Sequence, residues 1–428
     1  MITHQTPPSL AALVSCATLF VTIHLSAQDW PQWRGPDRDA RAVGFKAPAE
    51  WPNTLVQKWK ISVGEGVATP ALVGDRLYVF SRENSNEVLR CLNADTGKEL
   101  WQDKYPSLGA SGPASRFSGP RSSPAVANGK IVTMGVRGTL SCLDAATGKV
   151  LWRKEGKAKS SPRFFTSCSP VMVDGLCIIQ LGGESAGSIA AIDLATGDEK
   201  WSWNGDGTSY ASPMVMMVGD TKLIVSQTTN KMVALEADGG KLAWETPFKV
   251  QGRGYNTATP IIDGQTIIYT GSGRGATAVK FTMQGGSINA TELWSNKDGS
   301  VQFNTPVLAD GLLFGLNQGN EFFCVNTKTG QTGWTAPVAR TSNDQQSQGQ
   351  GRRRGGRSRG GYGSIVAAGP VVLALTPASE LIAFKAGDKA YSEIARIKVA
   401  DSPTYAYPVL SGNRIFIKDQ ESVALLTF

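Results

Sequence analysis

The chain has 428 residues, 48 of them glycine and 11 tryptophan, with a formal net charge of +8 and only 18% charged residues. This length exceeds one small core and predicts either several ordinary domains or one repeat architecture. Runs rich in Ala, Leu, Glu and Lys are missing, which excludes long helices, whereas short β-branched runs punctuated by glycine turns recur along the chain.

The first 27 residues have the pattern of a secretory signal peptide. Leu10 to Leu25 is uncharged and mostly apolar, and Leu25-Ser26-Ala27 is a small-residue cleavage site. A span of about 16 residues falls short of the ~20 needed to cross a bilayer, which argues against a membrane anchor. We expect an exported, soluble protein, periplasmic or extracellular, without a transmembrane segment after cleavage. No later part of the sequence could span a membrane.

Two markers recur at intervals of roughly 40 to 54 residues, the period of propeller blades. The first marker is a hydroxyl residue followed by proline and an apolar run, as in Ser169-Pro170. Because proline cannot donate to a β-ladder, this marker predicts an inner strand with its free edge on a central channel. The second marker is a Thr-Gly turn followed by tryptophan, as in Thr147-Gly148 to Trp152.

The tryptophans are interpreted as structural wedges between neighbouring blades rather than as ligand platforms, since they recur once in each repeat. The tryptophans assigned this role are Trp59, Trp101, Trp152, Trp201, Trp244, Trp294 and Trp334.

Six blades end at a tryptophan, and a seventh lacks it. The last stretch, from Tyr407 to Leu426, supplies only three strands, whereas the segment Leu55–Ile61 has the pattern of an outer strand without a blade. Joining the two predicts an all-β, eight-bladed propeller of four-stranded antiparallel blades over residues 55–428. Ring closure also removes exposed sheet edges. Residues 28–54 are predicted to be an extension that packs on the propeller.

The blade signature Leu143-Asp144-Ala145, Thr147-Gly148 and Trp152 resembles the pyrroloquinoline-quinone (PQQ)-like repeat family, and the segment Asp29–Pro36 resembles the N-terminus of its exported members. The resemblance covers roughly residues 29–428 and implies the fold. It does not specify the function. The family includes quinoprotein dehydrogenases and also non-catalytic propellers, among them the propeller subunit of the outer-membrane protein assembly machinery.

The loops that enter the inner strands gather at one mouth of the channel and share aromatic residues, Arg and Asn. Such a funnel suits a planar, anionic or sugar-like ligand or a peptide, although the same rings also fit as packing that plugs the channel. The candidate binding residues are Arg116, Phe117, Arg121, Arg163, Phe165, Tyr210, Arg253, Tyr255, Asn256, Phe303, Asn304 and Tyr405.

A quinoprotein dehydrogenase of alcohols or sugars is the catalytic alternative. The resemblance then implies PQQ with Ca²⁺, a general-base Asp, an Arg on the cofactor, a Trp platform and commonly a vicinal Cys pair. Glu184, Asn256 and Asn304 are candidate oxygen donors for Ca²⁺. Vicinal cysteines are missing and the mouth segments hold few carboxylates, so no cofactor, no metal and no catalytic residue are predicted. An Asp- or Tyr-based lyase or hydrolase is a further alternative for which no constellation is found.

Several other site classes are excluded by residue content. The two histidines lie inside the predicted signal, which excludes Ser-His-Asp, Cys-His and zinc sites. The five cysteines after the signal are an odd number without a vicinal pair and are interpreted as small buried apolar residues. Because the funnel carries aromatic and Arg residues but no catalytic group, a protein or polysaccharide partner at the funnel is expected. The protein is expected to be a monomer.

An insertion at 340–362, between blades six and seven, is rich in Gln, Gly and Arg and holds six Arg and one Asp. It lacks apolar residues and is predicted to be disordered. Its composition is similar to an Arg-Gly nucleic-acid box, but export argues against nucleic acid as the partner. An anionic surface polymer, lipid head groups, an acidic partner, or no partner at all remain open.

Overall fold

The computed structural model describes residues 28–156, 160–250, 254–338 and 361–428. These residues form eight sheets, each of four antiparallel strands, and one short 3₁₀ turn at Gly112–Ala114. The predicted eight-bladed, all-β propeller is confirmed. No helix in the described ranges is long and apolar enough to cross a membrane.

The first four blades take their strands in chain order from the channel outwards. Blade 1 has β2 (Ala71–Val73), β3 (Arg76–Glu83), β4 (Asn86–Asn93) and β5 (Glu99–Pro106). Blade 2 has β6 (Ala125–Ala127), β7 (Lys130–Met134), β8 (Leu140–Asp144) and β9 (Val150–Lys154). Blade 3 has β10 (Val171–Val173), β11 (Leu176–Gly182), β12 (Gly187–Asp193) and β13 (Glu199–Trp203). Blade 4 has β14 (Met214–Val218), β15 (Thr221–Gln227), β16 (Lys231–Glu236) and β17 (Leu242–Pro247).

The remaining blades follow the same order except at ring closure. Blade 5 has β18 (Ile261–Asp263), β19 (Thr266–Gly271), β20 (Gly275–Gln284) and β21 (Ser287–Asn296). Blade 6 has β22 (Val307–Ala309), β23 (Leu312–Leu316), β24 (Glu321–Asn326) and β25 (Thr332–Pro337). Blade 7 has β26 (Ser364–Ala368), β27 (Val371–Leu375), β28 (Glu380–Lys385) and β29 (Glu393–Lys398). Blade 8 has β30 (Val409–Ser411), β31 (Arg414–Lys418), β32 (Ser422–Thr427) and β1 (Val56–Ser62).

The ring closes by pairing the two ends of the described chain. Strand β1 lies antiparallel to β32, with Val56 opposite Thr427 and Ser62 opposite Ser422. The eighth blade is therefore built from three C-terminal strands and one N-terminal strand, as predicted. All 32 strands then belong to a four-stranded blade.

The outer-strand tryptophans of blades 1 to 6 each face a small residue, Cys or Ala, of the third strand in their own blade, whereas Trp59 of blade 8 faces Leu425. Trp101, Trp152 and Trp334 are paired with Cys91, Cys142 and Cys324, respectively. Blade 7 has Ala395 at this position, opposite Ala383. The recurring cysteines are therefore buried thiols that leave room for the indole rings, and the five cysteines among the described residues are all free.

The apolar core lies between neighbouring blades. In the cluster between blades 2 and 3, the ring of Trp152 packs with Val132, Cys177 and Ile179. The indole Nε1 of Trp152 donates to the carbonyl oxygen of Leu194 in blade 3 at 3.1 Å. Each blade thus buries its face against the next one, which positions the loops around the channel.

The N-terminal segment 29–46, here called the plug, fills the end of the channel opposite the mouth. Its backbone pairs with inner strands, since the Trp30 N–H and the Leu72 N–H each donate to the other residue's carbonyl at 2.8 Å. Arg34 is buried and its guanidinium donates to the carbonyls of Thr305 at 2.9 Å and Pro306 at 2.8 Å. The guanidinium of Arg38 donates to the carbonyls of Pro170 at 2.8 Å and Ser169 at 3.0 Å.

Candidate functional site at the channel mouth

A chain of hydrogen bonds around the axis fixes the height at which the mouth loops enter the channel. In blades 1 to 5, the N–H of the inner-strand hydroxyl residue donates to the hydroxyl of the next blade, for example from Ser123 to Ser169 Oγ at 3.0 Å. Equivalent bonds start from Thr69, Ser169, Ser212 and Thr259, and Tyr407 of blade 8 donates its N–H to Thr69 Oγ1 at 3.0 Å. This arrangement explains why a small hydroxyl residue precedes the proline.

Three aromatic rings from the loops before blades 3, 4 and 5 form one cluster, the mouth trio. Phe164 and Tyr255 meet edge to face at 5.1 Å between ring centroids, and Tyr210 and Tyr255 meet at 5.7 Å. The phenol of Tyr210 donates to Glu184 Oε1 at 2.9 Å and accepts the Phe164 N–H at 3.1 Å. Burial is the main cause that raises the pKa of Tyr210, so this phenol stays protonated.

Four further rings, from the loops before blades 6, 7, 8 and 2, form a second cluster, the mouth row. Phe303 and Tyr362 are stacked at 4.1 Å with an interplanar angle of 6°. Tyr405 meets Tyr362 at 6.0 Å and Phe117 at 4.9 Å, in both cases edge to face. The rings of both clusters are half-buried. They thus pack against one another and still present part of their surface at the mouth.

Arg121 is held by its own loop rather than by an anion. Its guanidinium donates to the carbonyls of Phe117 at 2.7 Å and Ala114 at 3.2 Å. Burial lowers the pKa of Arg121 to about 10, and Tyr210 is the nearby group that opposes this shift. Arg121 therefore remains charged at neutral pH and supports the loop between the two clusters.

The two asparagines predicted at the mouth are buried and bonded to the protein's own backbone. Asn256 Nδ2 donates to the carbonyls of Thr228 at 2.8 Å and Phe248 at 3.1 Å, and its Oδ1 accepts from Arg274 at 2.5 Å. Asn304 Nδ2 donates to the carbonyls of Leu316 at 2.6 Å and Gly361 at 3.0 Å. These amides fix loops and are not presented to a ligand.

Two of the predicted arginines lie exposed at the rim. Arg116 lies over Phe117 at 5.4 Å, and Arg163 lies over Phe164 at 5.9 Å, both measured from the guanidinium carbon to the ring centroid. Of the other two predicted arginines, Arg121 is buried as described, and Arg253 lies outside the described residues. The exposed charges make the rim basic beside both aromatic clusters.

Phe165 lies apart from the mouth trio although it follows Phe164 directly. Its backbone has a φ of 64°, and its ring packs against Ala110, Ala114 and Val136 with Arg137 above it at 5.1 Å. Phe164 holds the ring position at the mouth trio instead. Arg274, which supports Asn256, was not singled out by any pattern in the sequence.

The mouth residues do not fit PQQ with Ca²⁺. Glu184 Oε1 accepts from the Tyr210 hydroxyl and from the Arg163 N–H at 3.1 Å, while Asn256 and Asn304 are bonded as described. Within the described ranges, no group of three or more His, Cys, Asp or Glu side chains could hold a metal ion. The predicted oxygen donors are thus already used by the protein, and no reaction step through the quinone follows from this site.

Comparison with known proteins gives the family. The sequence profile described as outer membrane protein assembly factor BamB matches residues 85–336. The BamB protein of Burkholderia pseudomallei is 27% identical over 286 residues, which are 63% of this chain and 68% of that protein. Quinohemoprotein alcohol dehydrogenase ADH-IIG of Pseudomonas putida is also 27% identical, over 45% of this chain but only 26% of the enzyme.

The fold comparison agrees with the sequence comparison. The crystal structure of BamB from Moraxella catarrhalis superposes with a TM-score of 0.59 at 14% identity, covering 88% of this chain and 100% of that one. At this identity the likeness concerns the fold alone. Because the family profile matches more than half of the sequence, this protein belongs to the PQQ-like propeller family described as outer membrane protein assembly factor BamB.

Proposed function

We propose that this protein is an exported, non-catalytic propeller that binds a partner protein through its channel mouth. The observation that carries the proposal is that the polar and the aromatic residues of the mouth have different surroundings. Asn256, Asn304 and Arg121 are bonded to the protein's own backbone, whereas the rings of the two aromatic clusters stay partly exposed. Such a site offers contact surface and charge but no group placed for bond making or breaking.

The chemistry of the rim favours an acidic polypeptide with aromatic side chains. Exposed Arg116 and Arg163 attract carboxylates, and the half-buried rings beside them offer faces and edges for aromatic contacts. The BamB protein of Burkholderia pseudomallei, which matches this chain over 68% of its own length, is named an outer membrane protein assembly factor. This name supports a protein rather than a polysaccharide as the partner.

The proposal is tested by fluorescence anisotropy with a labelled peptide of alternating Glu and Phe. We expect saturable binding, and we expect the triple variant Phe117→Ala, Phe164→Ala, Tyr255→Ala to weaken it by about tenfold or more, which corresponds to ~1.4 kcal/mol. The matched control is the triple variant Leu100→Ala, Leu151→Ala, Leu242→Ala. It removes three leucines on outer strands that are 45%, 44% and 39% exposed.

Two results would reject a protein-binding mouth. The first is that the mouth triple variant binds the peptide as tightly as the unmodified protein does. This result counts if the circular dichroism and melting temperature of the mouth variant match those of the control variant. The other is preferential binding of polygalacturonate over the peptide, which would assign the mouth to an anionic polysaccharide.

We also propose that the Arg-rich insertion adds electrostatic affinity for an anionic surface polymer or acidic partner. Most of it lies outside the described residues, but the flanking Gly361 contacts Asn304 beside the mouth row. Deleting residues 341–359 should weaken binding to polyanions at low salt and leave binding at high salt unchanged, since charge attraction is screened by salt. Equal salt dependence of the two proteins would contradict this part of the proposal.

A further inference from the structure

The plug shows how backbone groups of another chain segment pair with the channel side of the inner strands. Leu72, Val126 and Ala367 each lie three residues after the hydroxyl position of their blade. Leu72 exchanges two backbone bonds with Trp30, the Val126 N–H donates to the Pro31 carbonyl at 2.8 Å, and Ala367 accepts from the Ala42 N–H at 2.8 Å. The plug thus pairs with blades 1, 2 and 7 through isolated backbone contacts, and the residues between these contacts form turns.

The same position in blades 3, 4 and 5 is held by Met172, Val215 and Ile262. Their blades have the same antiparallel pairing between first and second strand, so their N–H and C=O groups point towards the channel as those of Leu72 do. Among the residues that the structure describes, no hydrogen bond from the plug reaches these backbone groups. Within the described part of the chain, the inner edges of these three neighbouring blades are therefore unpaired.

A cleft of about 420 Å³ lies over these three edges. One wall is apolar and comes from the inner strands, and the other wall comes from the plug. The lining residues are Gln32, Arg34, Pro36, Asp37, Arg38, Asp39, Val171, Met172, Val173, Met214, Val215, Ile261 and Ile262. Methionine is frequent in binding surfaces that adapt to different side chains.

The plug wall of the cleft carries two carboxylates, those of Asp37 and Asp39. Arg34 and Arg38 also border the cleft, but their side chains are buried and already donate to backbone carbonyls of the propeller. Neither Asp37 nor Asp39 forms an ion pair within the described ranges, although Asp39 Oδ1 accepts the Arg41 N–H at 2.9 Å. An occupant with basic side chains would pair with these carboxylates.

We infer that this cleft binds an extended segment of a partner protein that alternates apolar and basic residues. Its backbone pairs with the inner edges at Met172, Val215 and Ile262, as the plug pairs with Leu72, Val126 and Ala367. Its apolar side chains lie on the inner strands and its Lys or Arg side chains reach Asp37 and Asp39. This second face is independent of the mouth, which lies at the other end of the channel.

The test measures binding of a labelled eight-residue peptide, Lys-Val-Lys-Leu-Lys-Val-Lys-Leu, to the full chain. Fluorescence anisotropy reports the fraction of peptide bound. We expect saturable binding that falls by about tenfold or more in Val215→Trp, which fills the cleft. Met217→Trp is the matched control, because Met217 lies on the same strand, is 45% exposed and does not line the cleft. The mouth triple variant should bind this peptide as well as the unmodified protein does.

A second measurement keeps the inference falsifiable if Val215→Trp does not fold. The same peptide with N-methylated backbone amides retains its side chains but cannot complete the ladder, so its binding to the unmodified protein should be lost. Hydrogen exchange at Met172, Val215 and Ile262 should slow when the original peptide is added. Equal binding of the methylated peptide, unchanged exchange at these amides, or equal binding of a Glu-for-Lys peptide would overturn the inference.

Discussion

The indole ring of Trp152 lies against Gly197 of the following blade, so that a β-carbon on this glycine would stand 2.7 Å from Cδ2 of the ring. The same relationship joins Trp59 to Gly97, with 2.8 Å to Cδ2, and Trp294 to Gly330, with 2.9 Å to Cδ2. The Thr-Gly turn and the tryptophan recur together because each turn of one blade covers the ring of the blade before it.

Substituting Gly197 by alanine should destabilise the protein by more than the same change at Gly175. The two glycines have similar positive φ angles, 75° and 78°, but a β-carbon at Gly175 meets no atom within 4 Å. Gly175→Ala therefore reports the backbone strain alone, about 1 kcal/mol. We expect Gly197→Ala to lower the free energy of unfolding by a further ~1–3 kcal/mol. Urea unfolding measures both variants, and equal losses would contradict the contact.

Replacing Trp101 by phenylalanine should be less damaging than replacing Trp152. The Nε1 of Trp152 donates to Leu194, whereas the Nε1 of Trp101 is buried without a partner because the Tyr78 hydroxyl takes the Ala145 carbonyl at 3.0 Å. Trp152→Phe loses a hydrogen bond, and Trp101→Phe removes an unpaired donor. The difference in free energy of unfolding should be about 1–3 kcal/mol. A larger loss for Trp101→Phe in urea titrations would contradict this explanation.

Removing the guanidinium of Arg34 should weaken the whole ring. Arg34→Met leaves the buried carbonyls of Thr305 and Pro306 without their donors, which is expected to lower the free energy of unfolding by ~2–4 kcal/mol. Arg41→Met, at an exposed residue of the same segment, serves as the control and should change little. Thermal unfolding followed by tryptophan fluorescence checks both, and a similar melting temperature for the two variants would show that the plug does not stabilise the propeller.

Lys418 should make the stability depend on alkaline pH. Its ammonium is buried and donates to the carbonyls of Gly64, Gly66, Asp419 and Gln420. Burial lowers the pKa of Lys418 from 10.5 to about 8, so between these values the unfolded chain binds a proton that the folded protein has released. The free energy of unfolding therefore rises with pH across this window, by at most about 3 kcal/mol.

The comparison with Lys418→Met isolates this contribution from other titrating groups. We expect the difference in free energy of unfolding between the unmodified protein and the variant to increase from pH 8 to pH 10.5, as measured by urea unfolding in matched buffers. A difference that is constant or falls with pH would show that burial does not lower the pKa of Lys418 in the folded protein.

Titration with PQQ distinguishes the proposed function from the catalytic alternative. Because the predicted oxygen donors are bonded within the protein, we expect no change in quinone absorbance or melting temperature at tens of micromolar PQQ, with or without Ca²⁺. A stoichiometric complex with a Ca²⁺-dependent rise in melting temperature would instead support a dehydrogenase, and dye-linked oxidation assays would follow.

The repeat made the fold predictable, while the details of the mouth depend on contacts that a sequence does not display. Trp59 without a preceding blade was enough to predict ring closure, because a propeller with an open edge is unstable. The mouth loops were located from their position before the hydroxyl-Pro marker. Which of Phe164 and Phe165 joins the mouth trio depends on a single positive φ angle. The inward direction of Asn256 depends on Arg274, which lies in the β19–β20 turn of blade 5.

The pairing of β1 with β32 means that the two extremes of the propeller are neighbours in space. A nascent chain can form seven blades as it emerges, but the eighth must wait until both partners are present. Pairing of β1 with β32 closes a loop that spans the whole propeller, so this pairing is slow. Until it occurs, the first and last blades each expose an apolar face. The incomplete ring is thus the state in which this protein is most open to aggregation and proteolysis, and cutting or joining the chain elsewhere in the ring should shift that vulnerable stage to a different blade.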